Sequence, residues 1–308
     1  MKTVEMEDSF MSHWWLLGAI ICTLLFVLGV IGNALTIVIL AKNKSLRCPS
    51  AYFISSLSAS NLLVCLILVP VMIFDFLNYS NWELSEELCA VSSLIGYGNG
   101  PTSIIMIALL SFSSYVKITC TRSTAAKLLG KTRMWMMIIV GWSIGYGFTA
   151  AALFGVWGNI HVDEGTGYCI NNGTIAGQKS EVFIAIAIFM IALLVISYSF
   201  IRIRNALSIS KIGRHDDELV YAKMVFAVFS IYVLCYLIPS ILLWAKKDYR
   251  SSGALYVTYR IPPLLSAIIN PIIYYKMNEK YRAAYKNLRG CKAMEEVDFY
   301  REEQNLPM

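Results

Sequence analysis

Long apolar stretches, separated by short polar segments, follow one another along almost the whole chain. Most of them reach the roughly 20 residues that a helix needs to cross the hydrocarbon core of a bilayer. Such stretches are expected to be helical, because backbone polar groups in lipid must be satisfied within the segment. The pattern predicts seven membrane-spanning helices, at about residues 14–40, 50–74, 90–116, 134–160, 182–201, 224–245 and 253–275. The seventh contains Arg260, which lowers its mean hydropathy but leaves it long enough to span.

The composition agrees with a chain that is mostly embedded in a membrane. Of the 308 residues, 57% are hydrophobic and only 15% are charged, which argues against two soluble domains. The fold class expected is an all-α bundle of seven transmembrane helices with a short amphipathic eighth helix. We expect an N-terminal segment at 1–13, a transmembrane domain at 14–275, a membrane-surface helix at 276–290 and a tail at 291–308. Segment 1–13 is acidic, unlike the start of a signal peptide, so the first helix should remain in the mature protein.

The basic residues predict the orientation of the helices. Segments 42–48, 117–133, 202–223 and 276–308 hold about 20 of the 26 Lys and Arg residues. Loops rich in Lys and Arg stay in the cytoplasm, so we expect an extracellular N-terminus and a cytoplasmic C-terminus in the plasma membrane. The net charge of +6 comes from these short basic clusters, which orient the helices, so nucleic-acid binding is not expected.

Two cysteines fall on the predicted extracellular side, where thiols are oxidised. They are Cys89, at the outer end of the third span, and Cys169, after the fourth span. We predict a disulfide bond between them, with two free thiols as the alternative. Asn172 and Asn78 lie in glycosylation sequons on the same side, although Asn78 is close to the membrane.

Seven helices alone do not specify a function, but several residues within them are informative. The first span contains Gly32-Asn33, the second Leu57-Ser-Ala-Ser-Asn-Leu62, the fourth Trp142, the fifth Tyr198 and the seventh Asn270-Pro271-Ile-Ile-Tyr274, with Trp82 seven residues before Cys89. Taken together over the whole chain, this set resembles the rhodopsin-like (class A) G protein-coupled receptors. The Asn-Pro-x-x-Tyr run is its most specific part. The resemblance implies a receptor that binds an extracellular ligand and acts on heterotrimeric G proteins.

Polar side chains at membrane depth are costly unless they pair. We therefore expect Asn33, Asn61, Ser103 and Asn270 to face one another and to share hydrogen bonds or water. Pro271 removes a backbone donor and gives the seventh helix a place to bend. The alternative is that these polar residues only hold the helices together.

The sequence departs from the family at the cytoplasmic end of the third helix. The family has Asp-Arg-Tyr there, whereas this chain has Ser113-Ser114-Tyr115. Without a cation at Ser114, an ionic latch to Glu218 in the sixth helix cannot form. We expect either raised basal activity or weak coupling to G proteins.

Other departures lie in the second and sixth helices. Asn61 stands where the family has an aspartate, so an internal sodium site should be weak. Around Pro239 the chain reads Cys-Tyr-Leu-Ile-Pro, and Tyr236 is the best substitute for the tryptophan that the family has in this motif. This sixth helix and the Asn-Pro-Ile-Ile-Tyr run are similar to those of melatonin and trapped-in-endoderm-like receptors.

The segment after the seventh span places Met277, Tyr281, Tyr285 and Leu288 on one helical face and basic residues on the other. This pattern is typical of a helix lying at a membrane surface and resembles the eighth helix of the family. Cys291, just beyond it, is either palmitoylated or an unmodified thiol.

Arg260 is the main candidate for ligand recognition. It lies nearly three turns before Asn270 and could bind a carboxylate or phosphate in a pocket completed by Tyr97 and Tyr256. The alternative is that Arg260 turns outward or pairs with Asp75 or an acid in an outer loop. Gly96 stands where amine receptors have an aspartate, so an amine ligand is not expected.

Enzymatic chemistry is not indicated. The three histidines, His13, His161 and His215, are far apart along the chain, so no metal site, catalytic triad or cofactor is expected. A transporter or channel is the alternative from another class, although the chain lacks the internal repeats of many transporters. Within the receptor class, the serine pair leaves open an atypical receptor that does not couple to G proteins.

Overall fold

The structure is a computed structural model that describes residues 2–43, 46, 48–78, 85–156, 160–163, 168–171, 174–175, 178–209, 216–245 and 253–287. Seven long helices form a bundle, as the hydrophobic pattern predicts. They are α1 (Lys2–Lys42), α2 (Pro49–Leu77), α3 (Glu86–Thr119), α4 (Lys131–Leu153), α5 (Ser180–Ile209), α6 (Asp216–Ala245) and α7 (Gly253–Met277), followed by the short α8 (Glu279–Asn287). The α2 helix contains one π-helical stretch, Val64–Leu68.

Within the described residues, α1 to α6 are long and apolar enough to cross a membrane. The α7 helix has 25 residues but falls below the hydropathy of the other six, as expected from Arg260. Asn270 and three prolines in the helix lower it further. Prolines at membrane depth are tolerated where neighbouring helices satisfy the freed backbone groups.

The prediction of a fourth span that reaches residue 160 was wrong. The α4 helix ends at Leu153, and Gly155 has a φ of 70°, the left-handed conformation that commonly terminates helices. The chain then forms two short antiparallel hairpins, which are the strands described in this otherwise helical structure. Strands β1 (Ile160–Asp163) and β2 (Tyr168–Asn171) pair first, then β3 (Thr174–Ile175) and β4 (Gln178–Lys179).

Two further elements extend the predicted pattern. The first helix begins at Lys2 rather than near residue 14, so residues 2–13 continue α1. A short helix, Arg122–Leu128, lies between α3 and α4. It begins where the Thr121 hydroxyl accepts a hydrogen bond from the backbone N–H of Thr124, at 3.3 Å.

The α3 and α4 helices meet along a line of glycines, which we call the glycine seam: Gly98, Gly141 and Gly145. A Cβ atom added at Gly145 would lie 1.9 Å from Oγ1 of Thr102, and one at Gly98 would lie 2.3 Å from the ring of Tyr146. Neither position has room for a larger side chain. Small residues let helices approach closely in membranes, where packing rather than hydrophobic burial drives association.

The eighth helix is anchored at both of its ends. Oδ1 of Asn278 accepts hydrogen bonds from the backbone N–H groups of residues 280 and 281, which caps the start of α8. The Tyr281 side chain is fully buried, and the hydroxyl of Tyr285 lies 2.5 Å from Oγ1 of Thr36 in α1. Met277, which was predicted to share one face of the membrane-surface helix with Tyr281 and Tyr285, is the last residue of α7 and is exposed.

Candidate functional site

One end of the bundle holds the disulfide bond, and we call it the disulfide end. Cys89 at the start of α3 is bonded to Cys169 in β2, which confirms the predicted pairing. Oγ of Ser93, one turn further along α3, donates a hydrogen bond to the backbone carbonyl of Cys169 at 2.9 Å. These contacts fix the β1–β2 hairpin against α3.

A cavity of about 370 Å³ lies in this half of the bundle, bordered by α2 to α7 and by Cys169. Its volume falls in the range usual for small-molecule sites. Three of the four predicted ligand-binding residues line it: Gly96 and Tyr97 from α3, and Arg260 from α7. Apolar side chains dominate the lining, and the polar groups are few.

Arg260 faces the cavity, as the first alternative required, and also pairs with Asp75, as the second proposed. Its side chain lines the cavity, and its Nη2 atom lies 3.1 Å from Oδ2 of Asp75 in α2. The Arg260 side chain is 18% exposed and that of Asp75 is 1% exposed. The Asp75 carboxylate therefore partly neutralises the charge that Arg260 presents to the cavity.

Tyr256 does not line the cavity, which corrects the prediction. Its hydroxyl donates a hydrogen bond to the same Oδ2 atom of Asp75, and its ring is fully buried. The ring packs against Trp15 of α1 at 4.5 Å and against Phe76 of α2 at 5.4 Å between centroids. Tyr256 thus helps to position Asp75, while Arg260, one turn later on α7, reaches the cavity.

Hydrogen bonds join α2, α3 and α4 at the base of the cavity. Oγ of Ser60 donates to Oδ1 of Asn99 at 2.7 Å and lies 2.7 Å from the hydroxyl of Tyr146. Trp142 stacks on Tyr146 with 5.0 Å between ring centroids and donates from Nε1 to Oγ of Ser56 at 2.8 Å. The family motifs mark Trp142 in the sequence, but no motif marks Asn99 or Tyr146.

The α6 helix brings two tyrosines to the same depth. Tyr236 and Pro239, both predicted as switch residues, line the cavity. Tyr236 stacks on Tyr232 with 4.5 Å between ring centroids, and the Tyr232 hydroxyl donates to the backbone carbonyl of Gly100 at 3.0 Å. A ring at position 236 thus packs between the cavity and the backbone of α3.

The four polar residues predicted to face one another do not form one network. Asn33 donates to the backbone carbonyl of Ala267 in α7 at 3.1 Å, and Ser103 donates to Oδ1 of Asn99 at 3.3 Å. Asn61 and Asn270 are buried, and Nδ2 of Asn61 has no hydrogen-bond partner among the described residues. Asn33 is thus bonded to a backbone carbonyl of α7, and Ser103 to a side chain of its own helix, instead of to the residues predicted.

The predicted switch residues at the opposite end of the bundle are closely packed. Ser113 and Ser114 are fully buried, and their hydroxyls donate to the Leu110 carbonyl of their own helix at 2.9 and 3.2 Å. Tyr115 meets the exposed Tyr198 of α5 edge to face, with 5.5 Å between ring centroids. No charged group occupies the core of this end within the described residues.

Buried tyrosines from three helices form what we call the tyrosine cluster: Tyr221 of α6, Tyr274 of α7 and Tyr281 of α8. The ring of Tyr281 lies 6.4 Å from that of Tyr221 and 5.9 Å from that of Tyr274. Pro271, one turn before Tyr274, packs closely on α1, because a Cβ at Gly32 would lie 3.1 Å from its ring. The cluster joins α6 to α7 and α8 by aromatic packing.

This end also carries most of the described basic residues, and we call it the basic end. The exposed ones are Lys42, Arg122, Lys127, Lys131, Arg133, Arg202, Arg204, Lys223, Lys276, Lys280 and Lys286. The cavity and the basic surface therefore lie at opposite ends of the same bundle.

Some predicted sites fall outside the described residues: Trp82, Asn172, Leu288, Cys291 and the side chain of Glu218. Asn78 is described and ends α2, but its Nδ2 atom, to which a glycan would be attached, is buried. Attachment of a glycan at Asn78 would require this side chain to move.

Comparison with known proteins gives a consistent result. The sequence matches the family described as 7 transmembrane receptor (rhodopsin family) over residues 32–274. A crystal structure of squid rhodopsin superposes with a TM-score of 0.73, covering 96% of this chain and 93% of the other at 20% sequence identity. At that identity the match shows a shared fold alone.

Several receptors are similar over most of this chain. The G-protein coupled receptor moody of Drosophila pseudoobscura pseudoobscura is 27% identical over 94% of this chain, which spans about half (54%) of that receptor's length. Protein trapped in endoderm-1 of Drosophila melanogaster is 26% identical, covering 90% of this chain and 79% of that protein. Growth hormone secretagogue receptor type 1 of Sus scrofa is 26% identical, with 87% and 79% covered.

Proposed function

The chain belongs to the rhodopsin family of seven-transmembrane receptors and is a multi-pass membrane protein, and on this premise we propose that it transmits an extracellular ligand signal to heterotrimeric G proteins. The similarity to trapped in endoderm-1 agrees with the predicted branch of the family. The receptor lies in the plasma membrane with its N-terminus and disulfide end outside. The basic end faces the cytoplasm, where positively charged loops are retained.

The observation that carries this proposal is the separation of two surfaces within one bundle. The cavity opens into the disulfide half, and the basic surface lies at the other end. The α3, α6 and α7 helices run through both regions, with Tyr236 at the cavity and the tyrosine cluster at the basic end. A ligand that favours one packing of these helices thereby changes the basic surface.

The ligand is an anionic small molecule or lipid that binds at Arg260. A guanidinium recognises a carboxylate or phosphate through charge-assisted hydrogen bonds. The ligand shares Arg260 with Asp75, so the affinity depends on competition between the two anions. Replacing Asp75 by Asn should therefore tighten binding of an anion, whereas Arg260→Ala should weaken it. An unchanged response to a panel of anionic metabolites and lipids in Arg260→Ala would remove Arg260 from the site.

Coupling in this receptor takes place without the charged residues of the Asp-Arg-Tyr motif. Ser113 and Ser114 are buried and offer no charge to α6, so the tyrosine cluster holds α6 at the basic end, with Tyr281 of α8 between Tyr221 of α6 and Tyr274 of α7. This aromatic packing ties α6 to α7 and α8, whereas the ionic latch of the family ties α6 to α3. The second candidate function, an atypical receptor that binds ligand without coupling, is favoured by the same serine pair.

Ligand-free recruitment of a panel of G proteins in cells distinguishes the two functions. Wild type is compared with Ser114→Arg and with a control, Ser114→Ala, whose side chain is about the size of serine. A coupling receptor recruits at least one G protein, and Ser114→Arg shifts that signal while Ser114→Ala does not. Absence of recruitment by wild type, with the receptor detected at the cell surface, would favour the atypical receptor. Equal signals in all three would exclude a role for position 114.

The remaining site residues are proposed as parts of one switch. Tyr236 and Pro239 respond to the cavity, and Asn270, Pro271 and Tyr274 carry the change along α7. The predicted modifications are glycosylation at Asn172 outside and palmitoylation at Cys291 inside. Both are tested by the mass of the receptor purified from cells, with Asn172→Gln and Cys291→Ser as controls.

A further inference from the structure

The cavity reaches the outside of the bundle between α4 and α5. Both helices pack mainly on α3 and approach each other little within the described residues. Ile144 of α4 and Ala185 of α5 both line the cavity, yet both are exposed, Ile144 by 45% of its surface. A residue that borders the interior cavity and is also exposed marks an opening in the wall.

Neighbouring residues agree with an opening at this point. On α4, Gly141 and Gly145 face α3, so Ile144 and Phe148 lie on the adjoining face, toward α5. Tyr97 of α3, which lies behind the opening, lines the cavity and is still 39% exposed.

The opening lies at bilayer depth. Ile144 is seven residues before Ala151, the end of the candidate membrane span in α4, a distance of about 10 Å along the helix. Ala185 is the second residue of the candidate span Ile184–Ala206 in α5. The opening therefore lies at the boundary of the hydrocarbon on the α5 side and about two turns inside it on the α4 side, in the half of the bilayer nearest the disulfide end.

We propose that this opening, between Ile144 and Phe148 on one side and Ile184, Ala185 and Ile188 on the other, admits a single-chain amphipathic lipid directly from the bilayer. The hydrocarbon chain lies between α4 and α5, and the anionic head group lies inside near Arg260. This inference rests on the proposed ligand site and specifies its ligand and its route of entry.

Three observations favour this occupant. The walls of the opening are apolar, and the cavity behind them contains Arg260, so the site offers one apolar part and one charged part. The β1–β2 hairpin, held on α3 through Cys169 and Ser93, borders the cavity at Cys169, on the side nearer water. A cavity of about 370 Å³ fits a chain molecule but not a helix of a second protein, which is about 10 Å across.

Photolabelling of the full chain in lipid nanodiscs tests the proposal. The probe is a long-chain fatty acid with a diazirine at its terminal carbon, and labelled residues are mapped by mass spectrometry. Ala185→Trp should reduce labelling of α4 and α5 at the opening by about tenfold. A probe whose chain can no longer bury two of its methylene groups there loses roughly that factor in affinity. Ala187→Trp is the matched control, since Ala187 is also exposed on α5 but does not line the cavity. The Ala187→Trp variant should be labelled as strongly as wild type.

A second pair of variants and a competition experiment complete the test. If Ala185→Trp fails to fold, Ile144→Trp blocks the opening from the other wall and is compared with Val140→Trp. Competition by a short-chain carboxylate as strong as that by the long-chain acid would show entry from water and overturn the proposal. Equal labelling in Ala185→Trp and Ala187→Trp would show ordinary bilayer contact and overturn it as well. Since labelling involves no G protein, a failure here is distinct from a failure of coupling.

Discussion

Removing the charge of Arg260 should destabilise the receptor strongly, and removing the charge of Asp75 at the same time should restore it. The two charged atoms lie 3.1 Å apart, with Asp75 almost completely buried. At an effective dielectric constant of about 20, Coulomb's law gives a gross attraction of about 5 kcal/mol. The cost of taking both charges out of water offsets most of it. The net value of the pair is therefore small, but a single buried charge without its partner is costly.

Arg260→Met leaves the Asp75 carboxylate buried with the Tyr256 hydroxyl as its described donor. Breaking a buried pair in this way costs about 3–5 kcal/mol. At about 2 °C per kcal/mol for a chain of this size, the midpoint of thermal unfolding falls by about 6–10 °C. The double variant Asp75→Leu with Arg260→Met should recover most of that loss, because well-packed apolar replacements of buried pairs are often neutral.

The assay is thermal unfolding of the purified receptor in detergent, followed by the fluorescence of a thiol-reactive dye. Arg122→Met serves as a charge control, since Arg122 is exposed in the short helix after α3 and its loss should change stability by less than about 0.5 kcal/mol. The reasoning is refuted if the double variant unfolds at the same temperature as Arg260→Met. It is also refuted if Arg122→Met loses as much stability as Arg260→Met.

Three further predictions concern the frame of the bundle. Cys169→Ser opens a bond across a sequence separation of 80, so it should cost about 4.5 kcal/mol by the loop-entropy relation and lower surface expression, measured by antibody binding to intact cells. Gly145→Ala should lower the unfolding midpoint, at an overpacking cost of about 1–3 kcal/mol against Thr102. The matched Gly147→Ala, which meets nothing within 4 Å, should gain about 0.5–1 kcal/mol, and equal midpoints would contradict the close contact. Asn278→Ala should lower the midpoint by the equivalent of about 1 kcal/mol by removing the cap of α8, whereas Asn278→Asp, which keeps an acceptor, should not.

Hydrophobic length was sufficient to predict the helical bundle, because it is a local property of the chain. The same reasoning failed at the end of α4. The apolar stretch runs on to residue 160, but the left-handed Gly155 turns the chain out of the helix and into a hairpin. A glycine within an apolar stretch is a weak signal, since other glycines of α4 lie inside the helix.

The candidate site was harder to predict than the bundle, because its contacts join residues far apart in sequence. Arg260 and Asp75 are separated by 185 positions, so the sequence could only offer the pair as one alternative. Tyr256 is one turn from Arg260 and shares its side of α7, yet only the packing of Trp15 and Phe76 decides that its ring lies behind Asp75. Asn33 and Asn61 were expected to face each other and share hydrogen bonds or water, but Nδ2 of Asn33 donates to the backbone carbonyls of Gly29 in its own helix and of Ala267 in α7.

The glycine seam has a mechanical consequence for the way this bundle moves. Because Thr102 and Tyr146 lie in close contact at Gly145 and Gly98, α4 can slide or rotate against α3 only if these contacts open. The α3 helix has 34 residues, is about 50 Å long and contains Pro101 near its midpoint, where it lacks one backbone hydrogen bond and can bend. The contact of Gly145 with Thr102 lies next to Pro101, so α4 braces α3 at the point where α3 is weakest.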